Sequence, residues 1–329
     1  MSETDLDEVT PLLYGSGAAA LGWWRLRETD WNSTPSAIVL HQAYRLQALQ
    51  SAIHEQKIEK VFRLLRQTSL DAILAKGWAA AGVYPDPALR PYGDIDLCIR
   101  PEHFNRAQEV LNSSEASDCW VDLHKGFSEI NERVFDELFS RSRRVTLGAE
   151  EISILGAEDH LALQCIHLLK HGAWRPVWLC DIGASIEALP KEFSWDICLG
   201  RKKTRANWIC CAILLAHKLL EANIDSLPIS RRSKPLPSWL VKNVLLQWAA
   251  PFAINQPPMS HPVPIGSLFR DTAGFLKGIR QRWPNPITAT VSIHGQFNDL
   301  PRLPYQVGNW ALRAAQLLSH LPTRMQLKR

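Results

Sequence analysis

Residues 90–100, with the sequence RPYGDIDLCIR, place two aspartates one residue apart among strand-forming residues. Alternate side chains of a β-strand point to opposite faces of the sheet, so Asp94 and Asp96 share one face and the intervening apolar residues share the other. Two carboxylates this close repel each other unless a cation or a shared proton lies between them. The segment therefore predicts a strand with one apolar face and one acidic face that attracts a cation.

The segments around this strand predict a mixed α and β region. Further strands are expected at 71–76 (DAILAK) and 119–124 (CWVDLH), and the pieces RRVTL and EISIL predict a hairpin that turns at Gly148. A long helix capped by Ser36 is expected to lead into the region. The expected helices of this half of the chain are 37–66, 77–81, 101–111 and 131–139.

The chain changes character near residue 156, where helical patterns take over. The expected helices of the second half are 157–171, 176–189, 205–223, 238–249 and 309–321. Prolines concentrate beyond residue 226, which indicates short helices joined by irregular linkers. We therefore expect an α+β fold with a mostly helical C-terminal part. Its four regions are a tail over 1–35, a mixed domain with its leading helix over 36–155, a helical domain over 156–225 and a Pro-rich, partly helical region over 226–329.

Charge and hydropathy narrow the class of protein. The chain has 37 basic and 33 acidic residues, and the net charge of +4 is too small to predict a nucleic-acid partner. The acidic start lacks the features of a secretory signal, and the longest apolar run, 208–216, is about half of what a membrane span needs. Seven cysteines without a CxxC pair favour reduced thiols in the core. We expect a cytoplasmic protein without a membrane span.

A third acidic residue follows the first two on another predicted strand. Asp122 shares a face of its strand with His124, so it would add a carboxylate near Asp94 and Asp96. Magnesium prefers oxygen ligands, usually one or two carboxylates with substrate phosphates and water, and manganese is an alternative. A third carboxylate is what a two-metal phosphoryl-transfer site needs. The three aspartates are the predicted metal ligands and catalytic residues, and Asp122 could also help to deprotonate an acceptor.

A strand-to-helix junction upstream predicts where phosphates bind. DAILAK runs into Gly77, and a helix start offers free backbone N–H groups and a positive dipole end, while glycine allows close approach. Lys76 and Arg90 could add positive charge beside a triphosphate. The alternative for these two residues is pairing with nearby acids, and the alternative for Asp122 is a bond to a neighbouring amide.

Taken together, these residues resemble the DNA polymerase β nucleotidyltransferase superfamily, whose mark is a glycine motif at a helix start, an Asp-x-Asp strand and a further acidic strand. More narrowly, LAKGWAAAGVYPDPALRPYGDIDLCI, VDLHKGF and HLLKHGAWRPVWLCDIGASIE are similar to a bacterial nucleotidyltransferase family often found beside exopolysaccharide or peptide natural-product genes. The resemblance covers about residues 60–190. It implies a polymerase β-like mixed sheet with flanking helices, and a magnesium-bound nucleoside triphosphate on Gly77, Asp94 and Asp96.

The last of these segments points to further cleft residues. His171, Arg175 and Asp181 match its helical part, and they are expected to line the nucleotide or acceptor cleft with His124. His167 and His171 also have the i, i+4 spacing that can hold zinc, on a helical face that His160 shares. Histidines in this arrangement are more often packing or cleft residues.

We therefore predict a metal-dependent nucleotidyltransferase that transfers a nucleoside monophosphate, with ATP as the expected substrate, and releases pyrophosphate. The acceptor is an unidentified small molecule, peptide or protein. No nucleic-acid partner is expected, because the basic runs are short and lack interleaved aromatic residues. One alternative is an inactive binding module, since Trp78 follows Gly77 where the superfamily usually has Gly or Ser. The other is a DxD glycosyltransferase, although the long nucleotide-binding fold that it needs is not visible before Asp94.

Overall fold

The computed structural model describes residues 2–225, 227–229, 235–249 and 283–326, and its centre is a mixed five-stranded sheet. The strands are β1 (Ala72–Ala75), β2 (Ile95–Ile99), β3 (Val121–His124), β4 (Arg143–Leu147) and β5 (Glu150–Ile154). Their spatial order is β3-β2-β1-β5-β4. β1 is antiparallel to β2 and parallel to β5, β2 is parallel to β3, and β4 is antiparallel to β5. The expected α+β class, a mixed sheet with flanking helices, is confirmed.

Helices precede, flank and follow the sheet. The helices before β3 are α1 (Glu3–Ser16), α2 (Ala19–Leu26), α3 (Pro35–Gln67), α4 (Gly77–Ala81) and α5 (Phe104–Leu111). The helices after β3 are α6 (Phe135–Ser140), α7 (Ala157–Lys170), α8 (Pro176–Glu187), α9 (Trp195–Leu199), α10 (Lys203–Leu220), α11 (Ser238–Ala249), α12 (Pro286–Ser292) and α13 (Leu303–Gln326). Within the described ranges, no helix is both long and apolar enough to cross a membrane.

The regular secondary structure described after residue 156 consists of helices joined by turns and loops, and α11 has the predicted bounds. Residues 230–234 and 250–282, which belong to the region expected to be partly helical, lie outside the described residues. The division of the chain into four regions therefore stays a prediction.

The first 35 residues differ from the predicted tail. α1 begins with a capping box between Ser2 and Asp5, and α1 and α2 pack on α3 through a small core that includes Leu6, Leu26 and Leu40. Of the three buried residues of α1, Leu6, Thr10 and Ser16, two are polar, so the buried face of this helix is only weakly marked in its sequence. This part of the chain is a packed helical layer.

The long helix α3 begins two residues earlier than predicted. Its N-cap is Thr34, whose hydroxyl accepts a hydrogen bond from the backbone N–H of Ala37, and Pro35 follows as the first helical residue. Ser36, the predicted cap, instead donates to Asp7 of α1. Proline is well tolerated at this position because the first N–H groups of a helix have no partner within it.

The alternation of side chains along β1 and β2 separates two cores. On one side of the sheet, Leu74 and Leu97 pack with apolar residues of α3, such as Val61. On the other side, Ile73 and Cys98 pack with α7, α8 and α10. Asp96 shares the face of Cys98, since residues two apart on a strand point the same way. The acidic face predicted for this strand therefore looks toward the helical half of the chain.

A buried carboxylate fixes the beginning of α7. Asp159 is fully buried, and its oxygens accept hydrogen bonds from Arg133 Nη1 at 2.6 Å and from Arg141 Nε at 2.9 Å. A buried carboxylate needs such partners, because its charge is otherwise very costly to desolvate. The two arginines thus tie α7 to the segments around α6, and this fixes where the far end of α7 lies.

Candidate active site

One cleft of about 490 Å³ brings together every site residue that the sequence predicted. Its lining residues come from α3, the β1–α4 junction, the loop before β2, the strands β2 and β3, and the helices α7 and α8. The predicted residues found there are Lys76, Gly77, Arg90, Asp94, Asp96, Asp122, His124, His171, Arg175 and Asp181. They span more than a hundred residues of sequence, so only the fold can place them together.

The paired aspartates of β2 and β3 form the floor of the site. Asp96 and Asp122 are direct cross-strand partners in the parallel β2–β3 ladder. Nε2 of His124 lies 3.2 Å from an oxygen of Asp96 and 3.2 Å from an oxygen of Asp122. The three side chains each offer a ligand atom within 4.8 Å of the other two, so this group could hold a metal ion.

Asp96 is the buried member of the acidic group. Its side chain is only 4% exposed, and Lys76 Nζ donates a hydrogen bond to it at 2.8 Å. Burial by itself would raise the pKa of Asp96, but the hydrogen bond from His124 and the charge of Lys76 outweigh it and hold the pKa below its usual range. Asp96 is therefore an ionised carboxylate at neutral pH.

Asp94 and Asp122 are the solvent-facing members. Asp94 lies immediately before β2 and is exposed, and the Asp122 side chain is 55% exposed. Both line the cleft. Their oxygens can reach a cation without displacing buried partners, whereas Asp96 already shares its charge with Lys76.

The β1–α4 junction brings two backbone segments together. Gly77 has φ +22°, and a Cβ atom on it would lie 3.3 Å from the carbonyl oxygen of Asp94. Lys76 has φ 52°, an unusual value for a residue with a side chain, and its N–H donates to Nε2 of His160 at 3.2 Å. A glycine is therefore needed at position 77 because the backbone of Asp94 approaches closely, and the close approach of a phosphate stays a prediction.

The residue after the glycine points away from the cleft. Trp78 Nε1 donates to Glu55 of α3 at 3.0 Å, and the indole packs against the core beneath α3. Trp78 is not a lining residue of the cleft. A bulky side chain at this position therefore leaves the space beside Gly77 open.

Replacing Gly77 by Ala is expected to impair the site more than the fold. The new methyl group would press on the carbonyl of Asp94 and would strain the left-handed backbone, so Asp94 would move. We expect turnover to fall at least about tenfold for a displacement of this kind, with a loss of stability of about 1 kcal/mol. Steady-state rates and urea unfolding measure the two effects.

The matched control is Gly82→Ala, at the other end of α4. A Cβ at Gly82 would make only ordinary contacts, the nearest at 3.6 Å. This variant should keep both its rate and its stability. Equal rate losses in the two variants would contradict the role given to the Gly77 backbone.

Arg90 and Asp181 pair with each other inside the protein. Arg90 Nη2 donates to Asp181 Oδ2 at 2.8 Å, Nε lies 3.2 Å from both Asp181 oxygens, and Tyr84 Oη donates to Asp181 at 2.9 Å. Burial would lower the pKa of Arg90, but the charge of Asp181 raises it. Of the two roles considered for Arg90, the geometry favours pairing with an acid, and the pair holds the loop before β2 against α8.

Arg175 is a cation of the cleft without a carboxylate partner. Within the described part of the chain its guanidinium makes no ion pair or hydrogen bond, and it lies 5.9 Å from the centre of the Trp178 ring. Burial lowers the pKa of Arg175, and the charge of Arg90 lowers it further. A guanidinium in this position is suited to binding an anionic ligand.

Glu129 is a cleft residue that sequence reasoning missed. It lies in a short 3-10 turn, Ser128–Ile130, and its buried carboxylate contacts Nδ1 of His167 at 3.4 Å and Lys170 Nζ at 3.3 Å. Burial would raise the pKa of Glu129, but the hydrogen bond from His167 and the charge of Lys170 lower it strongly. In the sequence, Glu129 stands between Phe127 and Ile130, two apolar residues that anchor the turn in the core. An acidic residue between two core residues is the one feature that could have indicated a buried carboxylate here.

His160 lies apart from the other two histidines of its helix. Its ring is buried and accepts the hydrogen bond from the Lys76 N–H, and burial lowers the pKa of His160 to about 4. His160 thus supports the β1–α4 junction, while His167 and His171 line the cleft.

Comparison with known protein families is consistent with this geometry. The profile of a family described as an uncharacterised nucleotidyltransferase matches residues 2–221. The chain belongs to this family. The match spans α1 to α10, so the matched part of the chain includes all residues that line the cleft and also the helical layer formed by α1 and α2. No curated protein and no solved structure gives a significant match to the chain.

Proposed function

We propose that this chain is a metal-dependent nucleotidyltransferase that moves a nucleoside monophosphate, from ATP as the expected donor, to an acceptor and releases pyrophosphate. The acceptor group is a hydroxyl, a phosphate or another nucleophile of a small molecule, peptide or protein. The observation that carries the proposal is the pairing of Asp96 with Asp122 in the β2–β3 ladder, beside the exposed Asp94 and in a cleft with basic residues. Membership of the nucleotidyltransferase family supports it.

The donor set fits a hard divalent cation. Asp94, Asp96 and Asp122 supply carboxylate oxygens, which magnesium and manganese prefer. Magnesium ions, when bound, neutralise triphosphate charge and polarise the phosphorus under attack. The pair with Lys76 keeps Asp96 ionised, and His124 bridges Asp96 and Asp122 and orients both. These contacts hold the two carboxylates in fixed positions before a cation binds.

The other residues of the cleft have separate roles in the proposal. Arg175, as an unpaired cation, contacts the phosphates, and the backbone around Gly77 seats them close to Asp94. Asp122 accepts the proton of the acceptor, because its exposed oxygens can reach a bound nucleophile. His171 lines the cleft where the nucleotide or the acceptor would bind. Catalysis by these groups would rest on positioning and electrostatics.

The two alternatives have less support. An inactive module is suggested by Trp78, which offers no hydroxyl to a phosphate, but its side chain faces α3 and leaves the cleft open for a nucleotide. A DxD glycosyltransferase is not supported by the family match, which assigns residues 2–221 to a nucleotidyltransferase family. We also propose a cytoplasmic location, which the seven free cysteines support.

Labelled nucleotides test the proposal. The protein is incubated with magnesium, host extract and each nucleoside triphosphate in turn, labelled either at the α or at the γ phosphate. We expect α label on an acceptor, γ label in pyrophosphate, and an acceptor mass increase of one nucleoside monophosphate. Transfer of γ label to the acceptor, or of a hexose from a UDP-sugar, would contradict the proposal.

A further inference from the structure

Three ligand-type side chains meet on the wall of the cleft formed by α7 and the turn after β3. Glu129, His167 and His171 each offer one ligand atom, and these atoms all lie within 4.8 Å of one another. The nearest measured pair, Glu129 Oε1 and His167 Nδ1, is 3.4 Å apart. Ligands of a tetrahedral metal at bond lengths of about 2.1 Å are separated by similar distances, so only small shifts would be needed.

The two histidines occupy consecutive turns at the end of α7. Their i, i+4 spacing stacks them on one face, with ring centres 4.4 Å apart. Trp178 of α8 packs against both rings and so limits their rotation. The centre of its ring lies 4.7 Å from that of His167 and 5.5 Å from that of His171. Packing against Trp178 thus holds both rings on the cleft side of the helix.

His171 has ring nitrogens without a protein partner. Within the described residues the His171 ring packs against His167 and Trp178, and its nitrogens make no hydrogen bond or ion pair, whereas the backbone N–H donates to the carbonyl of His167. Glu129, in contrast, is a buried carboxylate, and its ligand oxygen lies within 4.8 Å of the ligand nitrogens of both histidines. A buried acid beside an imidazole with free nitrogens is an arrangement that a cation would complete.

We propose that Glu129, His167 and His171 bind one transition-metal cation of the zinc class, at a site separate from the three aspartates. Imidazole nitrogens select zinc and its neighbours over magnesium, whereas the aspartate group offers mainly oxygen. Three protein ligands leave a fourth position open toward the cleft, where water or an oxygen of a bound ligand can enter. The inference goes beyond nucleotide transfer and does not rest on it.

Lys170 competes with a metal for Glu129. Its ammonium lies 3.3 Å from the carboxylate and donates to the Ser128 hydroxyl at 2.6 Å. The Lys170 side chain is 41% exposed, so it can turn into solvent when a metal binds. Removing this ammonium should therefore leave metal binding intact or make it tighter.

Cobalt titration of the full chain in excess magnesium tests the site. Excess magnesium competes for the carboxylate-rich group around Asp96 and Asp122, and strong visible absorption reports Co²⁺ in the tetrahedral coordination expected of a zinc-class site. We expect a single Co²⁺ per chain, which Zn²⁺ displaces. His171→Ala and Glu129→Gln should each weaken Co²⁺ binding more than about a hundredfold. Loss of a residue that only supports a ligand lowers metal affinity about 10–100-fold, and loss of a direct ligand should lower it further. Lys170→Met should bind at least as tightly as the parent.

The controls separate this site from the aspartates and from folding defects. Asp122→Asn should retain Co²⁺ binding, because Asp122 belongs to the group of Asp96 and His124. His41→Ala should also retain it, because His41 does not line the cleft. Circular dichroism confirms that each variant is folded. Absence of Co²⁺ binding by the parent, or equal binding by His171→Ala, would overturn the proposal. Co²⁺ binding without nucleotide transfer would count against the proposed function alone.

Discussion

We expect the variant Asp94→Asn to lose nucleotide transfer and to keep its fold. Asp94 is exposed before β2 and lines the cleft, so asparagine fits without steric cost but lacks the negative charge that a magnesium ion needs. We expect the rate of pyrophosphate release to fall by more than about a hundredfold, since even supporting residues of metal sites cost up to that factor. The midpoint of thermal unfolding should stay within about 2 °C of the parent value.

The control for this prediction is Asp71→Asn. Asp71 is an exposed aspartate directly before β1, and it does not line the cleft. Its amide variant should transfer nucleotide at the parental rate. If Asp94→Asn also keeps the parental rate, the acidic group does not carry the chemistry.

Asp181→Asn is expected to destabilise the protein strongly. The change leaves the buried guanidinium of Arg90, with its side chain 8% exposed, without its counterion, and Tyr84 loses a charged acceptor. Breaking a buried ion pair by removing one partner costs about 3–5 kcal/mol. Urea unfolding followed by tryptophan fluorescence gives the change in the free energy of unfolding.

An exposed ion pair provides the matched comparison. Arg144 and Glu151 lie 3.1 Å apart across the β4–β5 hairpin, with side chains 64% and 55% exposed. Glu151→Gln should change the free energy of unfolding by less than about 1 kcal/mol. A similar small effect for Asp181→Asn would mean that the Arg90–Asp181 pair does not hold the loop before β2.

The local part of this site was predictable from sequence, because strand periodicity is a property of neighbouring residues. The apolar face of β2, the acidic face that carries Asp96, and the strand that carries Asp122 all follow from alternation. Nothing in the sequence, however, fixes the parallel register that puts Asp96 opposite Asp122. That register depends on the packing of helices on both faces of the sheet.

Long-range pairings account for most of what the sequence did not predict. Arg90 and Asp181 are 91 residues apart, and Glu129 lies 38 residues from His167. Such contacts arise only after the helical half docks on the sheet, so spacing rules cannot reveal them. The β1–α4 junction shows the same limit, since the glycine is interpreted from sequence as making room for a phosphate, and nothing in the sequence indicates that the backbone of Asp94 lies beside it.

The central claim is that the three aspartates trap divalent cations against a bound triphosphate. Its most direct test is a crystal structure with Mn²⁺ and a nucleoside triphosphate analogue that carries a methylene group between the α and β phosphorus atoms. Anomalous scattering should place Mn²⁺ in contact with Asp94, Asp96 and Asp122 and with phosphate oxygens. Manganese peaks away from these carboxylates, or an analogue bound elsewhere on the protein, would contradict it.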